Sequence, residues 1–140
     1  MKAFSLSETA IDADSLLRGL EGERVGAVVV FEGRVRDHNE GRAARGLAYE
    51  AYAKLAESEG ARIIEEACSR FEIVQVLCVH RIGELSLSEL AVWVGVSAAH
   101  RDAAFAACRY VIDEVKARVP IWKREHYVGG EAEWLHPQAQ

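Results

Sequence analysis

Apolar residues follow two kinds of pattern along the chain, and these predict strands and helices in mixed order. Continuous apolar runs rich in β-branched residues are typical of strands covered on both faces, and they occupy 25–31, 73–79 and 90–96. Apolar residues spaced three or four positions apart predict amphipathic helices over 53–70 and 99–117. The predicted buried faces are Leu55, Ala56, Ile63 and Ala67 in the first helix and Ala103, Ala104, Ala107, Val111 and Val115 in the second.

Shorter segments complete the prediction. Asp14 is placed to cap a short helix over 15–20. The polar, glycine-containing segment 37–42 is typical of a mobile loop. Further extended segments are predicted at 47–52, 121–128 and 134–135. Strands and helices do not alternate regularly, which favours an α+β fold with at least partly antiparallel pairing.

Composition narrows the function classes. The chain has 140 residues, of which 50% are apolar and 28% charged, so we expect one globular domain over 1–140. The formal net charge of -5 argues against a general nucleic-acid binder and leaves room for one local anion pocket. No targeting segment is visible and no stretch approaches the ~18 apolar residues of a membrane helix. A cytoplasmic protein without membrane association is expected.

The cysteines do not form a recognised pattern. Cys68, Cys78 and Cys108 are odd in number and lack C-x-x-C spacing, so neither a disulfide framework nor a zinc site is predicted. We expect three reduced thiols, mostly buried. The alternative is a sulfur-carrying cysteine, for which Cys108 is the best candidate because Arg109 follows it.

Two lysines around one proline give the most informative segment. Pro120 disfavours helical geometry at Val119, so the second long helix should end there. Lys116 then lies in the last helical turn and Lys123 on the extended segment beyond it. Two amines brought to one corner from different elements disfavour each other's protonation, and a neutral lysine is a nucleophile or a base. The alternative is two solvated surface lysines.

Other cationic residues stand where anions bind. His100 and Arg101 open the second long helix, where free backbone N–H groups and the helix dipole favour a phosphate. Arg34 and Arg36 share one face at the end of the first strand, and Arg36 borders the loop at Gly41, which could close over a ligand. The alternative is an exposed helix start and an exposed strand end.

These groups do not meet within one chain on the predicted elements. Arg101 and Lys116 lie near opposite ends of the same helix, roughly 24 Å apart at 1.5 Å per residue. A homodimer that places the helix start of one subunit beside the lysine corner of the other would bring them together.

Six motifs together resemble the large, catalytic subunit of molybdopterin synthase. They stand in the order of that family and span about 26–134, most of the chain. The matching segments are GAVVVFEGRVRDHN (26–39), LAYEAY (47–52), HRIG (80–83), SAAHR (97–101), AF (104–105) and KARVPIWKRE (116–125).

The resemblance implies an enzyme of molybdenum-cofactor biosynthesis. In this family two large subunits form a central homodimer, and a small ubiquitin-like sulfur-carrier subunit docks at each end to make a heterotetramer. The carrier inserts its C-terminal Gly-Gly thiocarboxylate. The substrate, cyclic pyranopterin monophosphate, receives two sulfurs that form the dithiolene of molybdopterin. The fold implied is α+β, an α/β hammerhead-like core with an additional antiparallel β-sheet. No cofactor or metal is implied.

The resemblance also assigns roles to individual residues. Lys116 and Lys123 match the two active-site lysines of the family. Arg36, His100 and Arg101 match its anion-binding pocket, which in the family is built across the dimer and holds the substrate phosphate. Glu125 matches a motif position with a supporting role. Two rivals stay open: a non-catalytic module that senses a phosphorylated metabolite or scaffolds a ubiquitin-like protein, and a sulfurtransferase that uses Cys108.

Overall fold

The computed structural model describes residues 2–129 and, for backbone only, 133–135. In this part of the chain the strands form one four-stranded and one five-stranded sheet. The elements in chain order are β1 (Phe4–Ser7), α1 (Ala13–Arg18), β2 (Ala27–Arg34), β3 (His38–Asn39), β4 (Arg42–Ala51), α2 (Ala53–Arg70), β5 (Gln75–Arg81), β6 (Gly83–Ser86), β7 (Leu90–Ala98), α3 (Arg101–Arg118), β8 (Ile121–Tyr127) and β9 (Glu133–Leu135).

The four-stranded sheet carries the main core. Its order is β1-β5-β7-β2, with β1 parallel to β5 and the other neighbours antiparallel. Helices α2 and α3 cover one face, where the alanines and valines of α3 meet the valines of β7. On the other face, Leu16 and Leu20 at the first helix pack on Leu77 and Trp93. The sheet is therefore buried on both sides at its centre.

The second sheet stands beside the first and supports its end. Its order is β3-β4-β8-β9, and β6 pairs with the other side of β4. Strands β4 and β8 are antiparallel, with Tyr49 opposite Lys123. A small core of Val35, Leu47, Leu85 and Ala91 joins the two sheets. The α+β class with an additional antiparallel sheet is confirmed.

The two long helices are predicted well from their periodicity. α2 has the predicted bounds and α3 agrees within two residues at each end. Leu55 was wrongly assigned to the buried face of α2, since 58% of it is exposed. Gly60 lies on that face instead, because a Cβ there would sit 2.2 Å from a ring carbon of Phe4. None of the described helices is both long and apolar enough to span a membrane.

The first predicted strand is not covered on both faces. β2 is the last strand of its sheet in the described part of the chain, and its residues alternate between half-buried and exposed. Val28 and Val30 are on the exposed face. A run of β-branched residues indicates a strand but does not say whether other elements cover both of its faces, so the prediction was wrong on this point.

The segment 37–42, predicted as a mobile loop, forms a tight hairpin. Glu40 and Gly41 make the turn with φ of 50° and 76°, and Asn39 pairs with Arg42 across it. Asn39 is buried and donates a hydrogen bond to the Tyr127 hydroxyl at 2.8 Å. Sequence rules missed this turn because its first residue is a glutamate, which rarely takes positive φ.

The first helix begins earlier than predicted. Its cap is Asp12 rather than Asp14, and the Asp12 side chain accepts a hydrogen bond from the backbone N–H of Ser15. Asp14 lies inside the first turn, where its carboxylate interacts favourably with the helix dipole.

An arginine ties the end of α3 to α2. Arg118 donates hydrogen bonds to Glu59, Glu66 and Glu114 at 2.6–3.0 Å. Hydrogen bonding from Arg118, and then from Tyr110, lowers the pKa of Glu66 to about 2. The network stabilises the last turn of α3, and with it the backbone position of Lys116.

Candidate active site

The end of α3 and the start of β8 bring the two lysines to one corner, as predicted. Val119 has extended geometry, with φ -75° and ψ 128°, and ends the helix before Pro120. Lys116 lies in the last helical turn and Lys123 is the third residue of β8. The turn is stabilised by a hydrogen bond from the Ile121 N–H to the Val119 carbonyl at 2.9 Å.

A cavity of about 270 Å³ opens at this corner. It lies between the end of β2, the last turns of α3 and strands β4 and β5. Its floor is apolar and its polar lining is mostly cationic, which suits an anionic ligand. The lining residues are Gly33, Arg34, Arg36, Tyr49, His80, Ala91, Val92, Ile112, Val115, Lys116, Val119 and Ile121.

Lys123 is buried behind this cavity beside a carboxylate. Only 2% of Lys123 is exposed, and its Nζ lies 2.9 Å from Oε2 of Glu125. That oxygen has no hydrogen bond within the described residues, so the pair is an ion contact with angles outside those of a hydrogen bond. Both side chains point inward because alternate residues of β8 share a face.

The environment of Lys123 favours loss of its proton. Burial lowers the pKa of Lys123, and Arg36 and Lys116 act in the same direction, while Glu125 opposes the shift. From the sequence, repulsion between like charges is the expected cause of this shift. In the structure burial is the larger cause, and the neighbouring cations add to it. Lys123 is therefore suited to proton transfer.

Arg36 is the better placed of the two arginines for a ligand. Both line the cavity from the end of β2. Arg34 is engaged by Glu32 at 2.7 Å and by the Ser88 carbonyl at 3.2 Å. Arg36 makes no hydrogen bond to any of residues 2–129. Gly41 does not line the cavity, since the hairpin at 37–42 lies beside Tyr127, and closure of this segment over a ligand stays a prediction.

His80 and Tyr49 were not predicted as site residues. Each lines the cavity, and their rings meet edge to face with centroids 4.8 Å apart. Burial lowers the pKa of His80 to about 4, and burial with the charge of Glu125 raises the pKa of Tyr49 to about 12. Both residues are therefore neutral near pH 7. The available signal was their presence in two of the matching motifs and, for His80, its position directly after the apolar run 73–79.

His100 and Arg101 lie away from this cavity. Both are exposed at the start of α3, and the His100 side chain makes no capping hydrogen bond. The helix has 18 residues, so its two ends are roughly 27 Å apart. One chain does not bring these residues to Lys116, which agrees with the distance expected from sequence.

Cys108 is a structural residue. It is buried against β7, where its Sγ contacts the Val94 carbonyl at 3.8 Å, and it does not line the cavity. Burial raises the pKa of Cys108 to about 11, which disfavours the reactive thiolate. Cys78 is buried as expected, whereas Cys68 is exposed. The rival that uses Cys108 as a sulfur carrier has no support in this geometry.

Comparisons with known proteins agree in one family. The chain matches the family model described as MoaE protein over residues 6–118. It is 42% identical over 129 residues to the molybdopterin synthase catalytic subunit of Thermoplasma volcanium, covering 92% of this chain and 94% of that protein. It is 53% identical over 106 residues to the protein of the same name from Pyrococcus abyssi, covering 76% and 72%. The structure of molybdopterin synthase from Staphylococcus aureus has a similar fold, with a TM-score of 0.89 and 38% identity over 96% of this chain and 97% of that one.

Proposed function

Because this chain belongs to the MoaE family, an enzyme family of molybdopterin biosynthesis, we propose that its lysine cavity transfers sulfur to cyclic pyranopterin monophosphate. The sulfur comes from the C-terminal Gly-Gly thiocarboxylate of a small ubiquitin-like carrier. The relatives are named catalytic subunits, and that name supports a further subunit. The observation that carries the proposal is the pairing of an exposed lysine at the cavity wall with a buried lysine behind it.

The chemistry divides between the carrier and this chain. The thiocarboxylate sulfur forms a bond to a side-chain carbon of the pterin while the bond from that carbon to its oxygen substituent breaks, and the oxygen leaves with its electron pair and takes up a proton. Water then cleaves the acyl–sulfur bond. Sulfur stays on the substrate, the carrier leaves as a carboxylate, and a second charged carrier repeats the step. No thiol of this chain takes part, in agreement with the buried position of Cys108.

Each cation has a place in this scheme. Lys116 steers the anionic carrier tail and stabilises the oxyanion that develops during hydrolysis. Lys123, whose pKa is lowered by burial, transfers a proton. Arg36 holds the substrate phosphate together with His100 and Arg101. Since those two residues lie at the far end of α3, they must come from a second copy of the chain.

The edge strand β2 offers a way to bring the second copy into place. Its outer edge is unpaired in the described structure, and Val28 and Val30 are exposed beside it. In β7, Ala98 pairs with Ala27 at one end of β2, so His100 follows directly beyond that end. Arg36 follows the other end. A two-fold antiparallel pairing of β2 with its copy places His100 of one protomer beside Arg36 of its partner.

The free flank of α3 supports the same pairing. Glu114 and Arg118 face α2, so the opposite flank of α3 points toward the open edge of β2. Phe105 lies on that flank between Arg101 and Lys116, and 61% of it is exposed. Antiparallel packing of this flank against its copy covers Phe105 and brings Arg101 toward the partner's Lys116.

Mixed dimers test whether the site is shared. We expect Arg101→Ala and Lys116→Ala chains to be poorly active alone at low substrate concentration. Refolded together in equal amounts, they should regain about one quarter of the wild-type rate, because half of the dimers are mixed and each mixed dimer keeps one intact site of two. No recovery, although mixed dimers form, would mean that Arg101 and Lys116 do not act together in a site built from two chains.

A single-turnover assay tests the function itself. The purified chain is mixed with a thiocarboxylated Gly-Gly carrier and cyclic pyranopterin monophosphate, and the dithiolene product is measured by fluorescence after oxidation. We expect product with the thiocarboxylated carrier and none with the same carrier ending in a carboxylate. Carrier binding without product would instead favour the rival scaffold or metabolite sensor.

A further inference from the structure

The cavity has many hydrogen-bond donors and few acceptors. Arg34, Arg36 and Lys116 can only donate, and the Tyr49 hydroxyl both donates and accepts. His80 supplies the remaining polar side chain of the lining. In a cationic cavity, a neutral acceptor decides where a mobile ammonium comes to rest, since the other cations repel it.

The His80 ring is held in one orientation and one tautomer. Its Nδ1 lies 2.7 Å from the Arg81 carbonyl oxygen, which can only accept, so Nδ1 carries the proton. Tyr49 packs edge to face on the ring, and only 5% of His80 is exposed. In the neutral ring Nε2 is therefore a bare acceptor, and it has no hydrogen-bond partner among residues 2–129. His80 lines the cavity, and Nε2 is the acceptor atom that its ring has available for a donor there.

Among the cations that line the cavity, Lys116 is the best suited to donate a hydrogen bond to Nε2 of His80. The charge of Lys116 already acts on His80, where it lowers the pKa further after the larger effect of burial. Lys116 is exposed and its ammonium makes no hydrogen bond to the described residues, so its flexible stem leaves the amine free to move. Arg34 and Arg36 face the same space and would drive the ammonium outward.

We propose that His80 is a positioning residue for Lys116: its Nε2 accepts a hydrogen bond from the Lys116 ammonium and holds that amine over the cavity. This inference rests on the proposed sulfur-transfer function. The hydrogen bond opposes the repulsion from the two arginines and keeps Lys116 beside the arriving carrier tail. His80 itself does not touch the reacting atoms.

Substitutions at His80 separate this role from a structural one. His80→Phe keeps the ring and its contact with Tyr49 but removes both nitrogens. We expect the single-turnover rate at saturating substrate to fall about 10- to 100-fold, the range for a lost hydrogen bond to a charged group. The substrate concentration for half-maximal rate should stay within about twofold, because Lys116 and not the substrate loses its partner. His126→Phe, on the outer face of β8, is the matched control and should keep the wild-type rate.

A second pair of variants tests the inference even if His80→Phe does not fold. Glutamine can place an oxygen near the position of Nε2, whereas asparagine reaches only the position of Nδ1. We expect His80→Gln to be faster than His80→Asn. Equal rates for these two variants, or a wild-type rate in folded His80→Phe, would overturn the inference. So would a weakened substrate affinity with an unchanged saturated rate, since the acceptor would then serve the substrate.

The proposed function is tested separately in the same experiment. Product from the wild-type chain and its loss in Lys116→Ala support the sulfur-transfer reaction whatever His80 does. If the wild-type chain makes no product, the function fails and the His80 inference fails with it. If the wild-type chain is active and the His80 variants match it, only the inference about His80 fails.

Discussion

Replacing Lys116 with alanine is expected to lower the single-turnover rate about 10²–10⁴-fold, the usual contribution of a positioned charge or proton-transfer group. The free energy of unfolding should stay within about 1 kcal/mol of the wild-type value, the upper end of the usual contribution of an exposed cation in the last helical turn. Lys116 is exposed and makes no hydrogen bond to the described residues, so its removal leaves no buried group unpaired. The rate and a thermal unfolding curve measured on the same sample check both parts.

Two further variants serve as controls for the Lys116→Ala result. Lys54→Ala removes an exposed lysine from the first turn of α2 and should leave the rate unchanged. Lys116→Arg keeps the charge but not the compact amine, so its rate reports how much of the effect is charge alone. Near-normal turnover in Lys116→Ala would remove Lys116 from the catalytic assignment.

Replacing Lys123 with methionine should reduce both activity and stability. The rate is expected to fall about 10²–10⁴-fold through loss of a proton-transfer group. Stability should fall by about 3–5 kcal/mol, because Glu125 is left buried without its counter-ion. Both partners are almost fully buried and lie 2.9 Å apart. Urea unfolding measured alongside the single-turnover rate checks the two effects.

A double variant separates the two roles of Lys123. Lys123→Met with Glu125→Gln removes both charges from the core and should recover most of the lost stability, as replacement of a buried pair by neutral groups often does. Its turnover should remain low. Recovery of turnover along with stability would show that Lys123 acts only as the counter-ion of Glu125.

Local sequence patterns predict the two long helices and the corner between α3 and β8. The spacing of apolar residues gave α2 its bounds, and Pro120 gave the end of α3. These features depend on residues near each other in sequence, so periodicity and backbone sterics suffice. The same reasoning placed Lys116 and Lys123 at one corner, which the structure confirms.

Features that depend on pairing between segments distant in sequence could not be predicted from local patterns. The edge position of β2 depends on which strands lie beside it. An apolar run in the sequence does not indicate how many neighbouring strands there are. The shared cavity of Arg36 and Lys116 likewise requires β2 to run antiparallel to β7, with α3 crossing both. No local pattern in either segment indicates this arrangement.

The burial of Lys123 could not be predicted from hydropathy. In β8 the inward residues include Lys123 and Glu125, while Trp122 lies on the other face. A prediction that buries the most apolar residues of the strand would place Trp122 inside and Lys123 outside, the opposite of the observed orientation. Such failures of local rules are expected at functional sites, which agrees with the proposed role of Lys123.

The inward pair in β8 also bears on how the chain finds its register. A strand usually keeps its alignment because a slip of one residue exchanges an apolar face for a polar one. Here each face carries both apolar and charged residues, so composition discriminates weakly between the two alignments. The alignment must then be fixed at the ends of the strand, by Pro120 on one side and by the Tyr127 hydroxyl bound to Asn39 on the other. The small hairpin that carries Asn39, although it is not part of the cavity, thereby acts as the anchor that keeps Lys123 pointing inward.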